Sequence, residues 1–339
     1  MLYVSTRNKY DSFTAFRALH QDHTPDGGLF VPFRLPAYDK AALKELKDGS
    51  FSQNVAGLLN FFFSAGLTAW DVEACAGRYP VKTHTMPHRI FMAEVWHNLD
   101  SQYSAMENSL YQKIAGSGKP SSWAKVAIRI AVLFGLYPQI PVEQGECFDI
   151  TVAAGDFTQP MAAWYARKMG LPIGTIICGC TKNSGAWDLI HRGEFATGAA
   201  VLPTQLPELD VSSVSGVERL VYEVFGADRA CAYRDICQKK GTYQLLGEDM
   251  NLFGKGLFSS VVSDQRAWET VNSTWRANGY ITDPYTAMVY ASLQDYRAST
   301  GESCLTVVMA EHSPVLFVEG ICKTLSISEE QLKDRAGKL

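Results

Sequence analysis

Residues 148–178 constrain the fold of this chain more than any other stretch. Phe148-Asp149-Ile150-Thr151-Val152-Ala153 is an apolar, β-branched run of strand length. Gly155-Asp156-Phe157-Thr158 reads as a turn, 160–169 as a helix, and Gly170-Leu171-Pro172 as its stop. Thr175-Ile176-Ile177-Cys178 is then a second strand. A strand–helix–strand unit joins parallel neighbours, because a tight turn cannot return the chain in the same direction. The pattern predicts parallel strands near 148–153 and 174–179, joined by a helix over 159–169. Pro160 suits the first helical turn, where its missing N–H is not needed. Ligands of such folds sit where strands end and helices begin.

The rest of the chain supplies the cover that a parallel sheet requires. Residues 1–35 read as a short strand, a helix and an ordered loop, with Pro25-Asp26-Gly27 as a turn. Residues 39–77 read as helices, one with Leu58, Leu59, Phe62 and Phe63 on its apolar face. Residues 89–96 read as a strand, and Gly116-Ser117-Gly118-Lys119-Pro120 as a flexible connection. Ser121 is a good N-cap for an amphipathic helix carrying Val126, Ile130, Leu133 and Phe134. Beyond 210 the reading is mostly helical, with Val217, Leu220, Val221, Val224 and Phe225 at helical spacing. Helices are expected over 263–278 and 284–299, a last strand over 304–309, and a helix from about Val315.

Composition excludes several classes. A net charge of −4 gives no electrostatic reason to bind nucleic acid or an anionic membrane. The eight cysteines are scattered, and Cys178-Gly179-Cys180 has no second pair at zinc spacing, so buried free thiols and no metal are expected. The N-terminus turns polar by Ser5-Thr6-Arg7, and the apolar run over 130–137 is too short to cross a bilayer. A cytoplasmic protein is expected.

Several segments, in order, resemble threonine synthase, a fold-type II enzyme family that uses pyridoxal phosphate (PLP). They are Tyr3-Val4-Ser5-Thr6-Arg7; Pro25-Asp26-Gly27-Gly28-Leu29-Phe30-Val31-Pro32; Ala166-Arg167-Lys168-Met169-Gly170-Leu171-Pro172-Ile173; Val211-Ser212-Ser213 with Glu218-Arg219-Leu220; and Gly279-Tyr280 with Asp283-Pro284-Tyr285-Thr286-Ala287. The resemblance implies an α/β architecture, a parallel sheet flanked by helices. It implies a tryptophan synthase β-like large domain over 86–339 and a helical N-terminal domain over 1–85.

The departures from that family bear on function. Around His97 and Ser104 the chain is similar to the family's PLP-lysine segment, and Ser104 stands where the lysine is expected. A serine hydroxyl cannot form the Schiff base that an amine forms. A small subdomain, on the order of 100 residues, is expected to be missing before the helix capped by Ser121. The phosphate loop of the family corresponds to Gly155-Asp156-Phe157-Thr158-Gln159, in which Asp156 adds a negative charge and Thr158 fills the space of a glycine. Near the C-terminus, Ala310-Glu311-His312-Ser313-Pro314 replaces the family's hydroxyl that meets the pyridine nitrogen.

The expectation is therefore a homologue without a cofactor that has lost PLP-dependent phosphohomoserine lyase chemistry. It would act as a pseudoenzyme binding an amino-acid-like ligand or a protein partner, and a homo-oligomer is an open alternative. An active enzyme is the second reading, through a displaced lysine (Lys113 or Lys119) or through cofactor-free acid/base chemistry. Glu311, His312, Ser104 and His97 are the catalytic candidates. Gly155, Asp156, Phe157, Thr158, Gln159, Lys182 and Asn183 are the ligand-binding candidates. Each has a plainer role: Asp156 as a helix N-terminal residue, Glu311 and His312 as solvated turn residues, Lys182 as a surface lysine.

Overall fold

The computed structural model describes residues 1–77, 81–96, 101–183, 185–196, 198, 200–211 and 216–338. Three short antiparallel strands open the chain: β1 (Leu2–Ser5), β2 (Ser12–Thr14) and β3 (Phe30–Pro32), with α1 (Ala15–His20) between the last two. The expected loop thus closes a small sheet. Helices α2 (Lys40–Asp48), α3 (Phe51–Phe63) and α4 (Ala69–Ala76) follow. Each starts where a side chain accepts a backbone N–H: Asp39, Ser50 and Thr68 are the N-caps, the last two in reciprocal capping boxes.

The central sheet begins with β4 (Lys82–Met86) and β5 (Ile90–Glu94), so a boundary at residue 85 falls inside a sheet strand. Next come α5 (Tyr103–Ala115), α6 (Ser122–Leu136), β6 (Phe148–Ala153), α7 (Thr158–Lys168) and β7 (Ile173–Cys180). The parallel pairing of β6 with β7 matches the expected unit closely. An outlying section holds α8 (Gly185–Arg192), β8 (Glu194–Ala196), α9 (Gly216–Phe225), α10 (Ala227–Lys240), β9 (Thr242–Gln244) and α11 (Glu248–Gly254). The chain ends with β10 (Leu257–Val261), α12 (Asp264–Asn278), α13 (Pro284–Thr300), β11 (Thr306–Ala310), α14 (Val318–Leu325) and α15 (Glu329–Lys338).

The sheet order is β10-β7-β6-β11-β5-β4, parallel except for β4 at the edge. From β6 the chain steps outward to β7 and β10. Helices α12 and α13 then carry it back to β11 on the other side of β6. The tips of β6 and β11 therefore flank the point where the winding reverses, the place where open α/β sheets hold ligands. Helix α13 covers one face of the sheet, and α7, backed by α6, covers the other. Trp123 of α6 lies at the heart of the larger core, edge-on to Tyr3, Phe62 and Tyr165 at 5.6–5.7 Å. Among the described residues, no helix is long and apolar enough to cross a membrane.

Candidate functional site

The C-terminal ends of β6 and β11 open into a cavity of about 260 Å³. Helix α5 closes one side. Its start is stitched to the segment after β11: the Tyr103 N–H donates to the Glu311 carbonyl at 2.7 Å, and the Ser313 N–H to the Ser101 carbonyl at 3.1 Å. This fixes Ser104 in the wall beside Glu311 and His312. The Ser104 hydroxyl accepts a hydrogen bond from Gln102 Nε2 at 2.8 Å, and no base contacts it among the described residues. His97 lies outside the described residues.

Helix α6 contributes the cations. Lys125 and Arg129, one helical turn apart, both face the cavity from an otherwise apolar helix. Arg129 Nε donates to Glu107 at 2.7 Å, its Nη1 approaches Glu311 at 3.4 Å, and its guanidinium lies 4.8 Å from the Tyr103 ring centre. Burial alone would weaken the charge of Arg129. Glu107 and then Glu311 outweigh it and hold its pKa above the ordinary arginine value. Glu311 also accepts from Gln159 Nε2 on α7. The sequence signals only that Arg129, a charge inside the strongly apolar helix α6, needs a partner; it does not say which one.

The strand–helix turn after β6 is occupied by its own side chain. Asp156 Oδ1 accepts the Thr158 N–H at 2.9 Å, and the Phe157 N–H donates to the Ala154 carbonyl at 2.7 Å. Phe157 adopts a left-handed φ of 70° and is buried. Gly155 has φ +43°, and Leu209 sits 3.3 Å from where a side chain at Gly155 would begin. Asp156 and Gln159 line the cavity, whereas Thr158 is buried beneath it.

The 3₁₀ turn at 207–209 roofs the opening. Glu208 Oε2 accepts from His312 Nε2 at 3.2 Å, and the Glu208 N–H donates to Tyr285 Oη at 3.3 Å. His312 stacks on Tyr285 with ring centres 4.2 Å apart. The hydrogen bond from His312 holds the Glu208 carboxyl below its usual range. Burial works against the charge of His312, but the bond to Glu208 and the carboxylates of Asp283 and Glu311 overcome it and raise its pKa. Lys182 is exposed and away from the cavity lining. Asn183 is also outside the lining. It pins the roof segment instead, through the Leu202 backbone and Asp210. Of the displaced-lysine candidates, Lys113 pairs with Asp71 at 2.8 Å, outside the lining, and Lys119 is also outside it.

Residues 2–78 match the family described as threonine synthase N terminus. The threonine synthase of Pseudomonas aeruginosa is 27% identical over 207 residues, covering 60% of this chain and 43% of that protein. Human threonine synthase-like 2 is 24% identical over 207 residues, covering 57% and 42%. The chain thus spans less than half the length of the curated relatives it matches. Among solved structures, yeast threonine synthase superposes with a TM-score of 0.83 at 15% identity, over 99% of this chain and 94% of that one. A PLP-bound threonine synthase from Brucella melitensis gives 0.81 at 17%, with the same coverage.

That PLP-bound relative overturns the expectation that no cofactor accompanies this fold. The residues of the cavity meet such a group only in part. An amine is available at Lys125, but the turn that would cradle a phosphate already spends amide donors on Asp156 and Ala154. A dianion at that turn would face the Asp156 carboxylate. The N-terminal match, the sequence relatives and the shared fold together make this chain similar to the threonine synthases.

Proposed function

We propose that this cavity holds a small amino-acid-like ligand, and that binding, rather than the lyase chemistry of the family, is what the remodelled cleft serves. One observation carries the reading. At the switch point of the sheet, a cavity of about 260 Å³ is walled by interleaved cations and carboxylates. That is smaller than a typical drug-sized pocket and suits a compact, doubly charged molecule. Serine at 104 removes the amine expected there, and Asp156 disfavours a phosphate. Calorimetric titration with the protein L-amino acids tests the reading. Saturable binding of at least one supports it; no heat and no rise in melting temperature across the panel would remove it.

The second reading is an active PLP enzyme of the family with its amine displaced to Lys125. Lys125 lines the cavity and has no ion pair among the described residues. The check is an absorbance spectrum with added PLP, followed by borohydride reduction and peptide mapping. Stable incorporation at Lys125 would favour this reading over the first.

A further inference from the structure

The charges of the cavity are unequally committed, and this gives it a polarity. Arg129 is shared by Glu107 and Glu311, so that trio carries a net negative charge. His312 is paired with Glu208. Asp156 is spent on the first turn of α7. Lys125 alone among these groups has no carboxylate or hydrogen-bond partner among the described residues, although it is half-buried and faces the cavity. It sits one turn of α6 before Arg129, so a lone positive charge lies beside a cluster with one excess negative charge.

From this juxtaposition we infer that Lys125 is the seat for the carboxylate of a zwitterionic α-amino acid, whose ammonium faces Glu311. The inference rests on the amino-acid reading above and adds the orientation of the ligand and the residue that selects it. Glu311 is the better ammonium acceptor of the two acids on Arg129. Its contact with Arg129 is the longer one, at 3.4 Å against 2.7 Å for Glu107, and its carboxylate, although it also accepts from Gln159 Nε2, is the more exposed of the two to the cavity. A phosphate dianion suits this arrangement poorly, because Lys125, the one uncommitted cation of the lining among the described residues, would have to offset two charges beside several carboxylates.

The test uses the full chain and the amino acid that binds best in the panel, together with its methyl ester and its N-acetyl derivative. Wild-type protein should bind the ester about tenfold to a hundredfold more weakly than the free acid, the range of a charge-assisted hydrogen bond. Lys125→Gln should weaken the free acid by a similar factor and abolish the preference over the ester, whereas Lys125→Arg should stay within about fivefold of wild type. Glu311→Gln should weaken the free acid but leave the N-acetyl derivative unchanged. Lys125 is partly exposed, so Lys125→Gln should melt within about 2 °C of wild type. If folded Lys125→Gln binds the free acid within about twofold of wild type, the inference falls while the amino-acid reading stands. If wild type binds no amino acid, both fall. Borohydride trapping of PLP on Lys125 would also overturn the inference, since the amine would then be engaged covalently.

Discussion

Helix α6 presents two different regions on one element. Its buried side, with Trp123, Val126, Ile130 and Phe134, packs against α3 and α7 and contains no committed charge. Its other side carries Lys125 and Arg129 into the cleft. The first region is held by close packing, in which each methylene removed leaves a void. The second is held by a few directional bonds whose partners come from α5, α7 and the segment after β11. Disturbing the core should therefore change stability before binding, and disturbing the cleft should do the reverse.

The largest effect should follow Trp123→Ala. The indole is fully buried among Tyr3, Phe62 and Tyr165. Truncation should cost about 3–5 kcal/mol of unfolding free energy, read from the midpoint of urea denaturation. A loss below about 1 kcal/mol would show that this core relaxes around the cavity and that the contrast between the two regions is weaker than drawn.

A smaller loss is expected at the junction between the N-terminal segment and α7. Gly170 has φ +117°, and a side chain there would begin 2.3 Å from the Tyr38 carbonyl oxygen. Gly170→Ala adds backbone strain to that clash and should cost about 2 kcal/mol, with ligand affinity unchanged. A melting temperature equal to wild type would show that the 38–39 segment moves aside freely.

The sequence exposed those parts of the fold whose physics is local. The β6–α7–β7 unit was legible because its apolar runs, its turn and Gly170 all agree, and the helix from Ser121 because its cap and apolar stripe coincide. Two edge strands were not. β4 joins β5 through a turn in which His88 and Arg89 both take positive φ, without the Asn or Gly that announces such a turn. β10 carries Ser259 and Ser260 in mid-strand, which interrupts its apolar run within a stretch that reads as mostly helical, yet it pairs with β7 along its whole length. In the cleft, Ser104, Asp156, Gln159, Glu311 and His312 could be named because the resemblance assigns roles to their positions, and all five line the cavity. Glu107, Lys125, Arg129 and Glu208 were missed. Their convergence depends on how α5, α6 and the roof pack in space, which no short-range pattern records.

The pair His312–Glu208 offers a test that depends on pH. The folded pKa of His312 is raised, so its contribution is fully present below the unfolded histidine value of about 6.5 and is lost as pH rises through the folded value. Glu208 is lowered, so its contribution is present above its unfolded value of about 4.3 and is lost as pH falls through the folded one. The two overlap between roughly pH 5 and 6.5. There His312→Gln should cost about 1 kcal/mol, a modest figure because Glu208 is half-exposed. The difference from wild type should shrink by pH 9. A difference that grows with pH would mean that His312 acts as a neutral packing residue on Tyr285.

The smallest expected effect separates a wall residue from a nucleophile. Ser104 is half-buried at the start of α5, and its hydroxyl is engaged by the amide of Gln102 rather than by a base. A serine nucleophile needs a base to take its proton and donors to receive the developing oxyanion. The hydroxyl here accepts a hydrogen bond from an amide that cannot accept its proton. Ser104→Ala should therefore change stability by less than about 0.5 kcal/mol and amino-acid affinity by less than about threefold, because the charges proposed to hold the ligand lie on α6 and after β11. Calorimetry on the variant measures both. A loss of affinity as large as that of Lys125→Gln would move the centre of the site from α6 to α5, and the division between a packed core and a charge-built cleft would have to be redrawn around Ser104.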